Sequence, residues 1–483
     1  MRKIYSIAAL LLIIAAGCKK FEDFQTDPNK PTKAGPDLLL NTVIQKAFQS
    51  TNLGAALANR QMVFINAASN EQYYGWNRAE FTTYGNLRQV IKMEEEANRV
   101  EKPEYIPLVK FFKAYYFMQL TNTFGDIPYT SALKGERDTF NAVYDKQQDI
   151  FVAVLNDLDA ANALINTTTP AVDGDILYKG KMQQWKRLIN TFSLRILMSL
   201  SLKENNAALN VKARFAKIVN DPATYPLMTG NADNGQLAFF DVLGTRYPTY
   251  NDNDLKTAYY LDGTFIDLLK GLKDPRLFSF AEKAPQSVSL PDNDFAAYSG
   301  AKGSDPVDDI SRKVLAGEVS RIKKRYTDDP VNEPSIAIGY AELQFILAEA
   351  VVRGWINGDA AAYYKKGVQA SMLFYNIDQA SIDAYLALNT FPATNQLAAI
   401  MTQKYIASFM NSDWHFFFEQ RRTGLPVFDV SGAGVLNNKK VPKRWMYPVT
   451  ELQTNQTNVN AAINSQFAGD DNINGVMWLL KAE

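Results

Sequence analysis

Tyr105-Ile106-Pro107-Leu108-Val109-Lys110-Phe111-Phe112-Lys113-Ala114-Tyr115-Tyr116-Phe117-Met118-Gln119-Leu120-Thr121-Asn122-Thr123-Phe124-Gly125-Asp126-Ile127-Pro128-Tyr129 is the stretch whose reading decides the fold. Within it Tyr105, Val109, Phe112, Tyr116 and Leu120 recur every three or four residues, the spacing that lines one face of an α-helix. The period stops at Phe124 to Tyr129, where Gly125 frees the backbone, Asp126 can cap a turn and Pro128 fixes the exit. A second helical period follows at Phe151, Val154, Leu158, Ala161 and Ile165. Two helices therefore pair across a loop.

Working outward, the same spacing returns at Trp185, Leu188, Phe192, Ile196 and Leu200, and again at Leu343, Ile346 or Leu347, and Ala350 or Val351. After a break at Gly354 to Gly358 a partner helix carries Tyr364, Val368, Met372 and Tyr375, and Leu397, Met401, Tyr405 and Ser408 begin another. Pairs of this size, with Gly367 and Ala370 at close-packing positions, resemble tetratricopeptide-type units. The expected class is all-α, with helix pairs, long irregular loops and little β structure. The irregular windows, Leu227 to Leu261 and Ala284 to Arg312, are rich in Gly, Pro, Asn, Asp and Tyr. Long loops in a compact domain usually carry function, so the ligand surface is expected there and around Tyr73.

At the N-terminus, Arg2 and Lys3 precede an apolar run from Ile7 to Ala16 that is too short to span a bilayer, and Gly17-Cys18 follows. This pattern reads as a secretory signal. Its small-small-Cys ending resembles a bacterial lipobox, in which the Cys18 thiol carries the lipid; Ala15 stands three places before it, where Leu is commoner. Cys18 is the one cysteine of the chain, so its acylation would leave no thiol for disulfides. Residues 1–17 are expected as lipoprotein signal peptide, 18–36 as a flexible tether carrying Pro28, Pro31 and Pro36, and 37–483 as a single ligand-binding domain.

Composition narrows the function. Of 483 residues 47% are hydrophobic, enough for a sizeable core. Lys plus Arg and Asp plus Glu both number 51, so no global field draws nucleic acid or anionic surfaces. Partners must be recognised by local shape. Aromatics are plentiful, 28 Phe, 24 Tyr and 6 Trp, and suit cores, interfaces and stacking surfaces for sugars or peptides. Histidine occurs once, at His415, so HExxH is absent and no second His completes a zinc site. No cofactor or metal is expected.

Two segments group rings with amides. Asn70-Glu71-Gln72-Tyr73-Tyr74-Gly75-Trp76-Asn77-Arg78 places Tyr73, Tyr74 and Trp76 beside Asn77 and Arg78, so a sugar face could stack while amide and guanidinium bind its hydroxyls. Arg246 to Asn251 offers Tyr247, Tyr250 and Asn251 in a long-loop window. Asp470, Asn472, Asn474 and Gly475 copy half of a calcium loop, but Lys481 stands where the bidentate Glu belongs, so no cation is expected. His415 reads as a packed structural residue, and Arg421 and Arg422 as partners of carboxylates.

Phe124-Gly125-Asp126-Ile127-Pro128-Tyr129 with Tyr144-Asp145-Lys146-Gln147 resembles the hallmark loop of the SusD/RagB outer-membrane lipoproteins of Bacteroidetes. Further matches lie at Trp185 to Met198, Asp274-Pro275-Arg276-Leu277, Tyr298-x-Gly300, Tyr340-Ala341-Glu342 continuing to Ala348-Glu349-Ala350, Arg421-Arg422-Thr423-Gly424-x-Pro426, and Pro442-x-Arg444-x-x-Tyr447-Pro448. The resemblance implies a SusD-like fold and a surface-exposed, lipid-anchored, non-enzymatic protein of the outer membrane. It implies capture of oligosaccharides or peptides, delivered to a SusC-like TonB-dependent barrel, with stacking aromatics in the segment around Tyr73. An all-α glycoside hydrolase or lyase, working with two carboxylates, and a helical-repeat scaffold for proteins stay open on the residues alone.

Overall fold

The computed structural model describes residues 34–134 and 141–483. Cys18 and the signal-peptide segment lie outside the described residues, as does the tether up to residue 33. The tether's expected end is corrected: Pro36 opens the first helix, α1 (Pro36–Phe48), and is buried in its first turn. Proline suits that position, because an N–H there would have no helical acceptor.

The architecture is all-α. Helices α2 (Thr83–Arg99), α3 (Ile106–Phe124), α4 (Gln147–Leu164), α5 (Met182–Ser199) and α6 (Val211–Asn220) each pack on the preceding one, with α1 laid across α2 and α3. A second arm comprises α7 (Tyr340–Val352), α8 (Ala360–Phe374) and α9 (Gln396–Ala407), and α7 also packs on α5, which joins the arms. Helix α10 (His415–Thr423) follows. No helix among the described residues is long and apolar enough to cross a membrane.

Helix α3 is more central than its single apolar stripe predicts. Phe111, Ala114, Tyr115 and Met118 are buried as well as the stripe, because α1, α2 and α4 cover it on several sides. It ends where the sequence indicates. Gly125 has φ 93°, a conformation costly for other residues, and a Cβ there would lie 2.2 Å from Oε1 of Gln466. The Asp126 carboxylate accepts from the Gln147 N–H at 2.8 Å, so the loop also starts α4. Burial pushes its pKa up to about 6. Gly367 likewise earns its place: a Cβ would meet the Phe345 ring at 2.6 Å, which brings α8 against α7.

Among the described residues, sheet is confined to two short antiparallel ribbons. β1 (Met62–Phe64) pairs with β3 (Tyr259–Leu261), and β2 (Gly235–Leu237) with β4 (Ser335–Ile338). Both ribbons tie the irregular window 227–261 to the helical body. Asp274-Pro275-Arg276 is an anchor: the buried Arg276 donates to the Asp274 carboxylate at 2.9 and 2.5 Å and also to Gln403 and Ser371.

Candidate functional site

The segment from Asn70 to Arg78 folds inward. Ser69 caps its first turn, accepting from the N–H groups of Glu71 and Gln72. Tyr73 is buried, donates its hydroxyl to the Asp305 carbonyl at 3.0 Å, and rests on Gly434, where a Cβ would lie 2.4 Å from the ring. Tyr74 takes the left-handed conformation at φ 56°, donates to the Ala58 carbonyl at 2.7 Å, and holds the Arg60 guanidinium 4.2 Å from its ring centroid. Burial pushes its hydroxyl up to about 12. Trp76 donates Nε1 to the Arg444 carbonyl at 3.2 Å and stacks on Trp445 with centroids 4.6 Å apart.

The expected ligand contacts at Tyr73, Tyr74 and Trp76 are therefore corrected. Each ring is at most 4% exposed, its polar atom is satisfied by a backbone carbonyl, and no face is open for a sugar. Asn77 is exposed, and half-buried Arg78 is taken up by Asp471 at 2.6 Å and the Tyr447 carbonyl at 2.7 Å. Asp471 also accepts from Arg444 at 2.6 Å, so the loop that imitates a calcium site is braced by two guanidinium groups.

The second segment splits. Tyr247 is buried against Phe239 and Tyr326, which removes it from any surface. Tyr250 stays half-buried beneath the Arg246 guanidinium, 5.2 Å from its centroid, and Asn251 is exposed with Oδ1 accepting from Lys256 at 3.2 Å.

The ribbon of β1 and β3 presents an aromatic pair that neither segment contains. Phe64 and Tyr259 are cross-strand partners, both half-buried, with centroids 4.9 Å apart and planes tilted by 44°. Gln72, wholly buried, accepts from the Phe64 N–H at 2.6 Å, so the inward-folded segment positions this pair. Burial raises the Tyr259 hydroxyl to about 12, with the charges of Asp252, Asp254 and Glu71 adding to it. Those three carboxylates therefore act on the Tyr259 hydroxyl from both the β3 side and the segment after Ser69, and Asn251 precedes the first of them in the chain. Tyr259 falls inside the window expected to bear the ligand surface; Phe64 does not, because a three-residue strand shows no alternation to read.

His415 is a structural residue. Its Nε2 lies 2.7 Å from Oε1 of Glu342, which also takes an ion pair from Arg195. Burial works against ionisation of Glu342, yet Arg195 and His415 hold its carboxyl well below the usual range. An ionised carboxylate only accepts, so Nε2 of His415 carries the proton. Arg422 meets the expectation of carboxylate partners, bonding Glu349 at 2.9 Å and Glu419 at 2.7 Å. Arg421 departs from it: its guanidinium donates to the carbonyls of Lys443 and Asn122 and stacks on Phe418, and burial pushes its pKa down to about 9.

The SusD-like family, described as starch-binding and associating with the outer membrane, matches residues 28–448. A structure from Bacteroides vulgatus, described as an outer membrane protein for nutrient binding, is similar at 39% identity and TM-score 0.88, over 93% of this chain and 100% of the other. Two SusD homologues from Bacteroides fragilis are similar over the same shares of both chains, at 40% identity with TM-score 0.86 and at 34% identity with TM-score 0.87. No curated protein matches the chain. The helix-pair body, the Gly125 loop that ends α3 and starts α4, and these likenesses agree, and the chain belongs to the SusD-like family of starch-binding, outer-membrane-associated proteins.

Proposed function

We propose that this protein captures neutral oligosaccharides on the Phe64–Tyr259 platform and hands them, intact, to a SusC-like TonB-dependent barrel. In this reading lipid on Cys18 holds it at the outer face of the outer membrane. The observation that carries the ligand reading is the half-exposed aromatic pair itself. Its two rings lie 4.9 Å apart at a tilt of 44°, and the C–H face of a pyranose packs on such rings while its rim hydroxyls need hydrogen-bond partners. The negative charges of Asp252, Asp254 and Glu71 act on the Tyr259 hydroxyl, and Asn251, next to Asp252 in the chain, is exposed. The same carboxylates repel uronic and sulfated polymers. Family membership supports the class of ligand and the location; the barrel partner rests on the resemblance of the motifs.

Calorimetric titration with maltoheptaose tests the ligand. Saturable heat without released reducing ends, weakened in Phe64→Ala, supports capture; cleavage products would replace it with the hydrolase reading. Mild-detergent purification of the native lipoprotein from outer membranes tests the partner, which should copurify as a stoichiometric barrel. Recovery without a barrel would end the delivery role.

A further inference from the structure

Away from the platform, a cleft opens between α3, α5, α10 and the C-terminal Leu479–Leu480. It offers about 170 Å³, close to the roughly 150 Å³ in which an apolar cavity takes one benzene ring. Its occupant therefore has the size of a single ring or a branched ammonium group. Phe192 and the half-buried Trp414 and Phe418 form its apolar walls.

Asp413 is on the same wall, fixed there by long-range closure. Ser412 and Asp413 both take the left-handed conformation, at φ 66° and 48°. Their N–H groups donate to the carbonyls of Ile336 at 2.9 Å and Ser50 at 2.8 Å, so β4 and the chain just after α1 set the carboxylate at the start of α10.

The other charges of the wall are already neutralised. Arg195 is paired with Glu342, Arg422 with Glu349 and Glu419, and Glu419 also with Lys404 at 2.6 Å, while His415 donates to Glu342. Asp413 has no counter-ion. Among the described residues its carboxylate receives only amide hydrogens, from Asn52 Nδ2 at 2.7 Å and from the Trp414 N–H. Burial pushes its pKa up to about 6, which leaves it ionised at neutral pH. A carboxylate partly withdrawn from water without a counter-ion costs free energy that a bound cation recovers.

The rings narrow the class of cation. One carboxylate among rings lacks the several oxygens that a hard metal ion needs, whereas an ammonium group is attracted by an anion and by an aromatic face together. The protein's own guanidinium groups already use two of these rings: Arg195 lies 5.8 Å from the Phe192 centroid and Arg421 4.4 Å from that of Phe418. Trp414 carries no such cation among the described residues, and indole is the ring that attracts one best.

We infer that this cleft binds a small organic cation, an ammonium ion of about one-ring size whose charge lies between the Asp413 carboxylate and the Trp414 ring. The site is separate from the saccharide platform, and neither depends on the other.

The test is calorimetric titration of the full-length protein at neutral pH with two cations, choline and benzylammonium, each beside an uncharged counterpart, the tert-butyl isostere of choline and benzyl alcohol. At least one cation is expected to bind saturably and to exceed its counterpart by about tenfold or more in affinity. That comparison is made on the unaltered protein and needs no variant to fold. Asp413→Asn keeps an oxygen for Asn52 but removes the charge, and should abolish the preference while leaving the maltoheptaose titration unchanged. Circular dichroism and thermal unfolding establish that this variant keeps its fold. Equal binding of a cation and its uncharged counterpart overturns the cation site, as does cation binding that Asp413→Asn leaves intact. Absence of binding by both cations overturns it as well.

Discussion

The indole of Trp76 lies face to face with that of Trp445, centroids 4.6 Å apart and planes 6° from parallel. The contact ties the inward-folded segment after Ser69 to irregular chain far along the sequence, past α10. Trp414 closes the group, meeting Trp76 at 5.8 Å and Trp445 at 4.8 Å edge-on.

Trp76 is thus expected to report on stability. Trp76→Ala should cost about 3–5 kcal/mol of unfolding free energy, the usual range for deleting a large buried aromatic. Denaturant unfolding measures it, and a midpoint equal to wild type would contradict this packing.

Phe64 and Tyr259 should behave in the opposite way. Either one changed to Ala should weaken oligosaccharide binding by about 1–2 kcal/mol through lost stacking. Global stability should shift less than for Trp76→Ala, since both rings are half-exposed. Titration and unfolding on the same variants separate the two effects.

His415 is the one histidine, so its imidazole signals in a nuclear magnetic resonance titration are unambiguous. Burial and the nearby Arg195 lower its pKa below the ordinary 6.5, and Glu342 only partly compensates. The midpoint should fall below pH 6.5 and drop further in Glu342→Gln. The sign for stability follows: the neutral ring's contribution is fully present above about pH 6.5 and is lost as pH falls through the lowered folded value. Replacing His415 by Gln should reduce the acid sensitivity in that window.

Gly367→Ala places a methyl group 2.6 Å from the Phe345 ring. Overpacking of this kind costs about 1–3 kcal/mol, although Ala favours helix by about 1 kcal/mol over Gly. Thermal unfolding should show net destabilisation. A stabilised variant would mean that α7 and α8 can separate at little cost.

The helical body was legible because its signals are local. The three-and-four spacing from Tyr105 to Leu120, the stop at Gly125 and the close-packing glycine at 367 each record a constraint set by near neighbours in the chain. His415 and Arg422 were also readable by residue type, since a lone buried imidazole and an arginine beside carboxylates have few roles. The candidate site was less legible. Aromatics clustered with amides from Asn70 to Arg78 look the same whether they meet a sugar or a distant backbone carbonyl. The carbonyls of Arg444, Asp305 and Ala58 that claim them come from remote or separately folded chain.

By itself, then, the sequence determined the class of fold, the order of the helix pairs and the family, because periodicity, turn chemistry and ordered motifs are written along one dimension. The tertiary structure alone decided which rings face solvent. That choice depends on long-range closure: Gln72 must reach the Phe64 N–H and β1 must register with β3 to leave Phe64 and Tyr259 half-buried side by side, while Trp445 covers Trp76.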